Sequence, residues 1–274
     1  MHITKMHGAG NDFIIIDNFA HKFSSDELSA LARRLCAQHT SVGADGLMAV
    51  AEPTRGGDYS MLFFNSDGSA GEMCGNGARC IARYGHDHGL GGEGQRIETV
   101  SGTVIGERID YNLYRVRLND PSVIDLHRSV SVGGRDYDCS YVELGKPGLP
   151  HAVLLMPEYD TLSRAELAEL GAALRTAREF PRGANVTFTK PLGGKRVKAV
   201  TYERGVEDFT LACGTGCGAL TTALTLRGVL PGEAEIEMPG GTLYVRLKLK
   251  GGLVSGLRLT GPAVTVFEGE LADT

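Results

Sequence analysis

Met73-Cys74-Gly75-Asn76-Gly77-Ala78-Arg79-Cys80 and Ala212-Cys213-Gly214-Thr215-Gly216-Cys217-Gly218-Ala219-Leu220 decide how this chain is read. Each follows an extended stretch and continues in small residues and a helix-like run. That predicts, twice, a thiol at the start of a helix. A helix start presents backbone N–H groups without intrahelical acceptors and about half a positive charge. It binds anions such as a carboxylate and, by itself, lowers a thiol's pKa. Two such thiols on opposite faces of one carboxylate-bearing carbon would form a two-base proton-transfer site.

The spacing carries the reading to the whole chain. Ser24-x-x-Glu27 reads as a capping box before the apolar positions Leu28, Leu31 and Leu35, and Ser163-x-x-Glu166 as a second before Leu167, Leu170 and Leu174. Ser24 precedes Cys74 by 50 positions (74 − 24), and Ser163 precedes Cys213 by the same 50 (213 − 163). The offset between copies is 139 (213 − 74), and it carries the strand-like run Phe13–Asp17 onto Ala152–Met156. Three landmarks in one order imply an internal duplication. Two pseudo-symmetric domains are therefore expected: residues 1–118 with 263–274, carrying Cys74, and residues 119–262, carrying Cys213. The boundary falls near Asn119-Asp120-Pro121, and the tail after Gly261-Pro262 is expected to cross back to the first domain. The two helix starts would meet in the cleft between the domains, where ligand sites often lie.

Short strand-like segments at Ser60–Phe64, Arg96–Thr99, Tyr114–Leu118, Lys195–Tyr202, Glu233–Met238 and Thr242–Leu249 outnumber the helical runs. They do not alternate strictly with helices, so the fold class is α+β rather than a doubly wound parallel sheet. A net charge of −5 without a Lys/Arg block argues against nucleic acid as a partner. No apolar run is long enough to span a bilayer as a helix, and the start lacks a signal-peptide pattern. Six cysteines in such a chain read as reduced thiols, which points to the cytoplasm. Cys36, Cys80, Cys139 and Cys217 read as packing residues. Neither Cys74/Cys80 nor Cys213/Cys217 has C-x-x-C spacing, so neither a metal nor a redox dithiol is expected.

The chemistry of two opposed thiols suits an α-amino acid. One thiolate takes the weakly acidic α-proton and one thiol returns a proton from the other face. Backbone N–H groups hold the carboxylate as it gains enediolate character. The residues His7-Gly8-Ala9-Gly10-Asn11-Asp12-Phe13, Asn65-Ser66-Asp67-Gly68-Ser69, Met73–Cys80, Pro150-His151, Asn185-Val186, Glu203-Arg204-Gly205 and Ala212–Gly216 resemble the diaminopimelate epimerase family over nearly the whole chain. That family belongs to the cofactor-independent group that includes proline racemase-like enzymes, whose members typically carry His where Asn76 stands.

The resemblance implies in each domain a strand-rich sheet wrapped around a central helix, and epimerisation of LL-2,6-diaminopimelate to the meso form with no cofactor and no metal. It implies Cys74 and Cys213 as acid/base residues, with His151 assisting Cys74. Glu203 would assist Cys213 and help hold the substrate ammonium. It implies the backbones of Gly75, Asn76, Gly214 and Thr215 on the reacting carboxylate, Asn11 near the reacting centre, and Asn65, Asn185 and Arg204 on the distal amino-acid end. The partner is a small amino-acid substrate. Members of the family are often homodimers, and strand edges permit such pairing. The chain departs from the family pattern in three places. Leu149 stands where an Asn is expected, in a lengthened 145–151 loop; Gly46 stands where some members have Gln; and Phe209 where many have Glu. These departures bear on the distal pocket, so a racemase of another amino acid such as histidine is the rival reading, followed by a binding protein that has lost its chemistry and a thiol oxidoreductase.

Overall fold

The computed structural model describes residues 1–71 and 74–272; Met73 of the first motif therefore lies outside the described residues. The chain forms two compact units, residues 1–116 together with the segment from Thr260 onward, and residues 117–259.

The first unit begins with β1 (His2–Gly8), β2 (Asn11–Asp17), a one-turn α1 (Asn18–His21) and α2 (Ser25–Leu35). It continues with β3 (Gly46–Ala51), β4 (Tyr59–Asn65), α3 (Gly75–Asp87), β5 (Gly94–Thr99), β6 (Gly102–Arg108) and β7 (Leu113–Arg117). β2 runs antiparallel to β1 and parallel to β3, which pairs antiparallel with β4. α2 starts where its box says: Ser24 caps it, and Glu27 returns a carboxylate to the Ser24 N–H at 2.8 Å. Its apolar positions Leu28, Ala32 and Leu35 pack with Ile14, Ile16 and Leu47 of the adjoining strands.

α3 is buried on nearly every side from Gly75 to Gly85 and contacts β1, β2, β3 and β6, so the strands enclose it. Such enclosure requires small residues. A Cβ on Gly77 would collide with the Met48 methyl, and one on Gly8 would lie 2.9 Å from the Asn76 carbonyl oxygen.

The second unit contains β8 (Pro121–Val132), β9 (Arg135–Leu144), β10 (Leu149–Leu155), α4 (Arg164–Arg175), β11 (Asn185–Gly193), β12 (Arg196–Glu203), β13 (Asp208–Thr210), α5 (Gly214–Leu226), β14 (Glu233–Met238) and β15 (Gly241–Lys250). β16 (Leu253–Pro262) leads out of it, and β17 (Val264–Glu270) pairs antiparallel with β1 in the first unit. β10 runs antiparallel to β9 and parallel to β11, setting His151 opposite Asn185. Ser163 and Glu166 close the second capping box on α4. α5 has no charged residue; the buried Thr221 and Thr222 hydroxyls donate back to the Cys217 and Gly218 carbonyls, and the helix is enclosed by strands including β8 to β11, β14 and β15. A Cβ on Gly218 would lie 2.9, 3.2 and 3.3 Å from methyls of Leu118, Leu144 and Leu257. Each unit is thus strand-rich around one buried helix, the α+β arrangement expected.

Candidate active site

Cys74 is the N-cap of α3 and Cys213 the N-cap of α5. Both hold extended backbone, and each sulfur accepts the N–H three residues on: Gly77 at 3.5 Å and Gly216 at 3.3 Å. A thiol here does the work usually done by Ser or Asp. Gly75 and Asn76 head α3, and Gly214 and Thr215 head α5. Their N–H groups are those a helix leaves without an acceptor of its own. Gly216 is glycine for lack of room, since a Cβ would sit 3.0–3.1 Å from the Thr201 hydroxyl, the Cys213 sulfur and the Thr187 hydroxyl.

In the first unit Asn11, Cys74 and Asn76 form one cluster. The Asn11 amide oxygen takes the Cys74 thiol at 3.4 Å and the Asn76 amide NH2 at 3.3 Å. Asn65 ends β4 at the surface and donates to the Ser69 hydroxyl at 2.9 Å within its own turn.

In the second unit Glu203, at the end of β12, accepts from the Thr210 hydroxyl at 2.6 Å, and its charge acts on the Cys213 sulfur. Burial raises the Glu203 pKa against the Thr210 hydrogen bond. The thiol of Cys213 is pushed well above its ordinary value, first by burial and then by the Glu203 charge; the Gly216 N–H and the Thr215 hydroxyl pull the other way and lose. This corrects the expectation that a helix start lowers the thiol. The terminal partial charge lies within reach, but desolvation of a sulfur that is only 5% exposed outweighs it. Cys213 therefore rests as a thiol beside a carboxylate able to take its proton.

His151 is fully buried in β10 and neither ring nitrogen has a hydrogen-bond partner among the described residues. Burial and the nearby Arg204 guanidinium lower its pKa to about 3, so the imidazole is neutral. Asn185 accepts the Arg204 backbone N–H at 2.8 Å. The Arg204 guanidinium is at the surface and donates to the Arg182 carbonyl at 2.8 Å. His151, Asn185 and Arg204 thus form one neighbourhood, and Glu203, Thr210, Thr215 and Cys213 another.

The departures have local causes. Gly46 opens β3, where a Cβ would stand 2.6 Å from the Phe63 ring and 2.7 Å from the Phe64 carbonyl oxygen, so no Gln fits. Phe209 turns its ring edge-on to Tyr202 at 5.7 Å and to Phe188 at 6.3 Å, joining the core. Leu149 opens β10 opposite Leu144. Cys36, Cys80, Cys139 and Cys217 are all buried, and burial pushes the first three up to about 12, which leaves them inert. Among the described residues no group of three His, Cys, Asp or Glu could hold a metal ion. No helix there is long and apolar enough to cross a membrane.

Sequence reasoning passed over Thr210 and Asp45. Thr210 holds the Glu203 carboxylate, and Asp45 accepts the Asn11 NH2 at 2.5 Å. A Thr in a short strand gives no signal; Asp45, between Ala44 and Gly46, reads as an ordinary turn acid.

A family model described as diaminopimelate epimerase matches residues 3–117 and 145–266. A diaminopimelate epimerase of Carboxydothermus hydrogenoformans is 35% identical over 280 residues, covering 98% of this chain and 99% of that protein. Another, of Nitrosomonas europaea, is 36% identical over 284 residues and covers 98% of each. A solved phenazine biosynthesis protein of the PhzF family from Bacillus anthracis is similar with a TM-score of 0.71 at 16% identity, covering 100% of this chain and 99% of that one. A hydroxyproline epimerase from Agrobacterium vitis gives 0.67 at 17% identity, over 99% and 90%. At these identities the two structures bear on the fold alone.

Proposed function

The chain belongs to the diaminopimelate epimerase family, and on that footing we propose that it inverts one α-carbon of LL-2,6-diaminopimelate to give the meso form, with Cys74 and Cys213 as its two acid/base groups. The observation that carries the reading is the paired capping geometry, one sulfur at the head of each buried helix. The product serves lysine and cell-wall precursor synthesis.

In this reading one cysteine, as thiolate, takes the α-proton, while the other, as thiol, delivers its proton to the opposite face. The carbon is inverted and the two sulfurs have exchanged protonation states. The reverse turnover runs from that exchanged form. Glu203 generates the Cys213 thiolate by accepting its proton; its raised pKa and its influence on the Cys213 sulfur support that role. His151 is the group assigned to take a proton from Cys74; burial and Arg204 keep it neutral and a weak base in the unliganded protein. The leading N–H groups of Gly75, Asn76, Gly214 and Thr215 hold the carboxylate as charge moves onto it, the role of an oxyanion hole. Asn11 lies against the reacting centre. Asn65, Asn185 and Arg204 take the distal amino acid, where a guanidinium suits a second carboxylate. A distal carboxylate beside Arg204 would also offset the field that depresses His151, so substrate would strengthen the base it needs. The reading includes a cytoplasmic homodimer, which sedimentation at working concentration would check.

The test is proton NMR in deuterated water with dithiothreitol, with LL-diaminopimelate and, in parallel, L-histidine, L-lysine, L-glutamate and L-proline. Loss of the α-proton signal with diaminopimelate alone, with the meso form appearing, is expected. Exchange only with L-histidine would move the reading to a histidine racemase. Cys74→Ser and Cys213→Ser should each lower turnover by several decades with native circular dichroism. Near-full activity in either would end the two-base mechanism.

A further inference from the structure

The Cys74 cluster has an order that the roles above leave unexplained. Arg79 is fully buried and a guanidinium can only donate; its Nη2 gives a hydrogen bond to the Asn76 side-chain oxygen at 3.1 Å. That leaves the Asn76 NH2 to face the Asn11 oxygen, 3.3 Å away. At the other end stands Asp45, whose carboxylate can only accept. Its Oδ2 takes the Asn11 Nδ2 at 2.5 Å and the Asp12 backbone N–H at 3.1 Å. Asp45 is itself fixed, because its backbone N–H is bonded to the Asp12 carboxylate at 3.0 Å, and Lys5 holds that carboxylate at 2.6 Å. Two amides lie head to tail between an obligate donor and an obligate acceptor. Turning over Asn11 would set NH2 against NH2 on one side and oxygen against carboxylate on the other. The guanidinium at one end and the carboxylate at the other fix which atom of each amide is oxygen and which is nitrogen.

We propose that Arg79 and Asp45 are positioning residues for Cys74: together they lock the two amides so that Asn11 turns its oxygen to the thiol and keeps its NH2 away. An amide oxygen accepts a hydrogen bond from a thiol but offers nothing to a thiolate. The lock therefore keeps the Cys74 proton on sulfur in the unliganded protein. Asn11 cannot take that proton, whereas Glu203 can take that of Cys213. The two cysteines rest unequal, Cys74 loaded as proton donor and Cys213 placed beside a proton acceptor. This asymmetry rests on the acid/base reading of the cysteines, but the lock itself is measurable without substrate.

The experiment follows alkylation of each cysteine by iodoacetamide against pH, with peptide mass spectrometry separating Cys74 from Cys213. Asp45 is exposed, so Asp45→Asn and Asp45→Lys should keep the fold. Asp45→Asn removes the obligate acceptor, and Asp45→Lys replaces it with an obligate donor that turns Asn11 over. Cys74 alkylation at pH 7 should rise about 2- to 10-fold, the value of one hydrogen bond to the thiol, with Lys above Asn. Cys213 should stay as in the wild type. The rise should persist in 1 M salt, where the Debye length is about 3 Å and a mere charge effect fades. Cys74 rates unchanged in both variants, or a rise that vanishes in salt, would overturn the lock. Should a variant unfold, the wild-type side-chain amide resonance of Asn11 decides: a strongly downfield Nδ2 proton is expected, and an unshifted one overturns the proposal. Failure here leaves the α-proton exchange test of the epimerase reading untouched.

Discussion

A half-buried carboxylate next to a buried thiol is a poor choice for stability, and Glu203 shows what it costs. Its pKa is raised on folding, so the folded chain holds a proton that the unfolded chain releases near 4.5. Stability is thus fully present below that value and is lost as pH rises through the folded one. Glu203→Gln keeps the shape and the Thr210 contact while removing the charge. It should raise the melting temperature by a few degrees at pH 8, show no gain at pH 4, and abolish most turnover. Scanning calorimetry at the two pH values checks this; an equal gain at both would mean that packing, not charge, is responsible. The direction of these shifts was not legible in the sequence. Gly214, Thr215 and Gly216 announced a helix start, which favours a thiolate. Only the tertiary structure brings Glu203 alongside and removes water from Cys213.

At the scale of elements the local signals read true. Capping is a matter of four residues, so Ser24/Glu27 and Ser163/Glu166 located α2 and α4, and the glycine-flanked cysteines located α3 and α5. Ser24→Ala and Ser163→Ala should each cost about 1 kcal/mol in urea unfolding, leaving α-proton exchange unchanged. A loss of activity without a loss of stability would show that the cap does more than end a helix. β8 and β9 escaped notice for an equally physical reason. Of the twelve residues Pro121–Val132 only Val130 is buried, so no alternation marks the strand, and Pro121 reads as a breaker. The two strands find each other by long pairing with register shifts between Pro121 and Val123 and between Asp125 and Arg128. In β9 the buried residues Cys139–Val142 run consecutively instead of alternating, so the period of two is missing there as well. Nor does any local pattern join Asn11 to Asp45, whose hydrogen bond spans 34 positions of chain.

At the scale of the molecule the first unit is assembled from both ends of the chain. β17 pairs with β1 from His2↔Glu270 to His7↔Val264, and the Met1 ammonium meets Glu270 at 3.0 Å. The buried Arg79 and Arg83 of α3 donate to the Pro262 and Ala263 carbonyls at 3.3 and 2.7 Å. Deleting the chain from Thr260 onward should therefore strip amide hydrogen-exchange protection from β1, β2 and α3. α5 and β9 to β12 should keep theirs. Uniform loss throughout would show that the units do not fold separately. The duplication was visible as a repeated offset of 139, because both copies keep their punctuation. The crossing tail was foreseen only as a remainder, since nothing in Val264–Glu270 names its partner strand. A consequence follows for synthesis. The ribosome makes residues 1–116 first, but makes β17, the strand that pairs with β1, only after the whole second unit. The half that is begun first is completed only after the other half has been made: α3 cannot satisfy its arginines on Pro262 and Ala263 until those residues have been added.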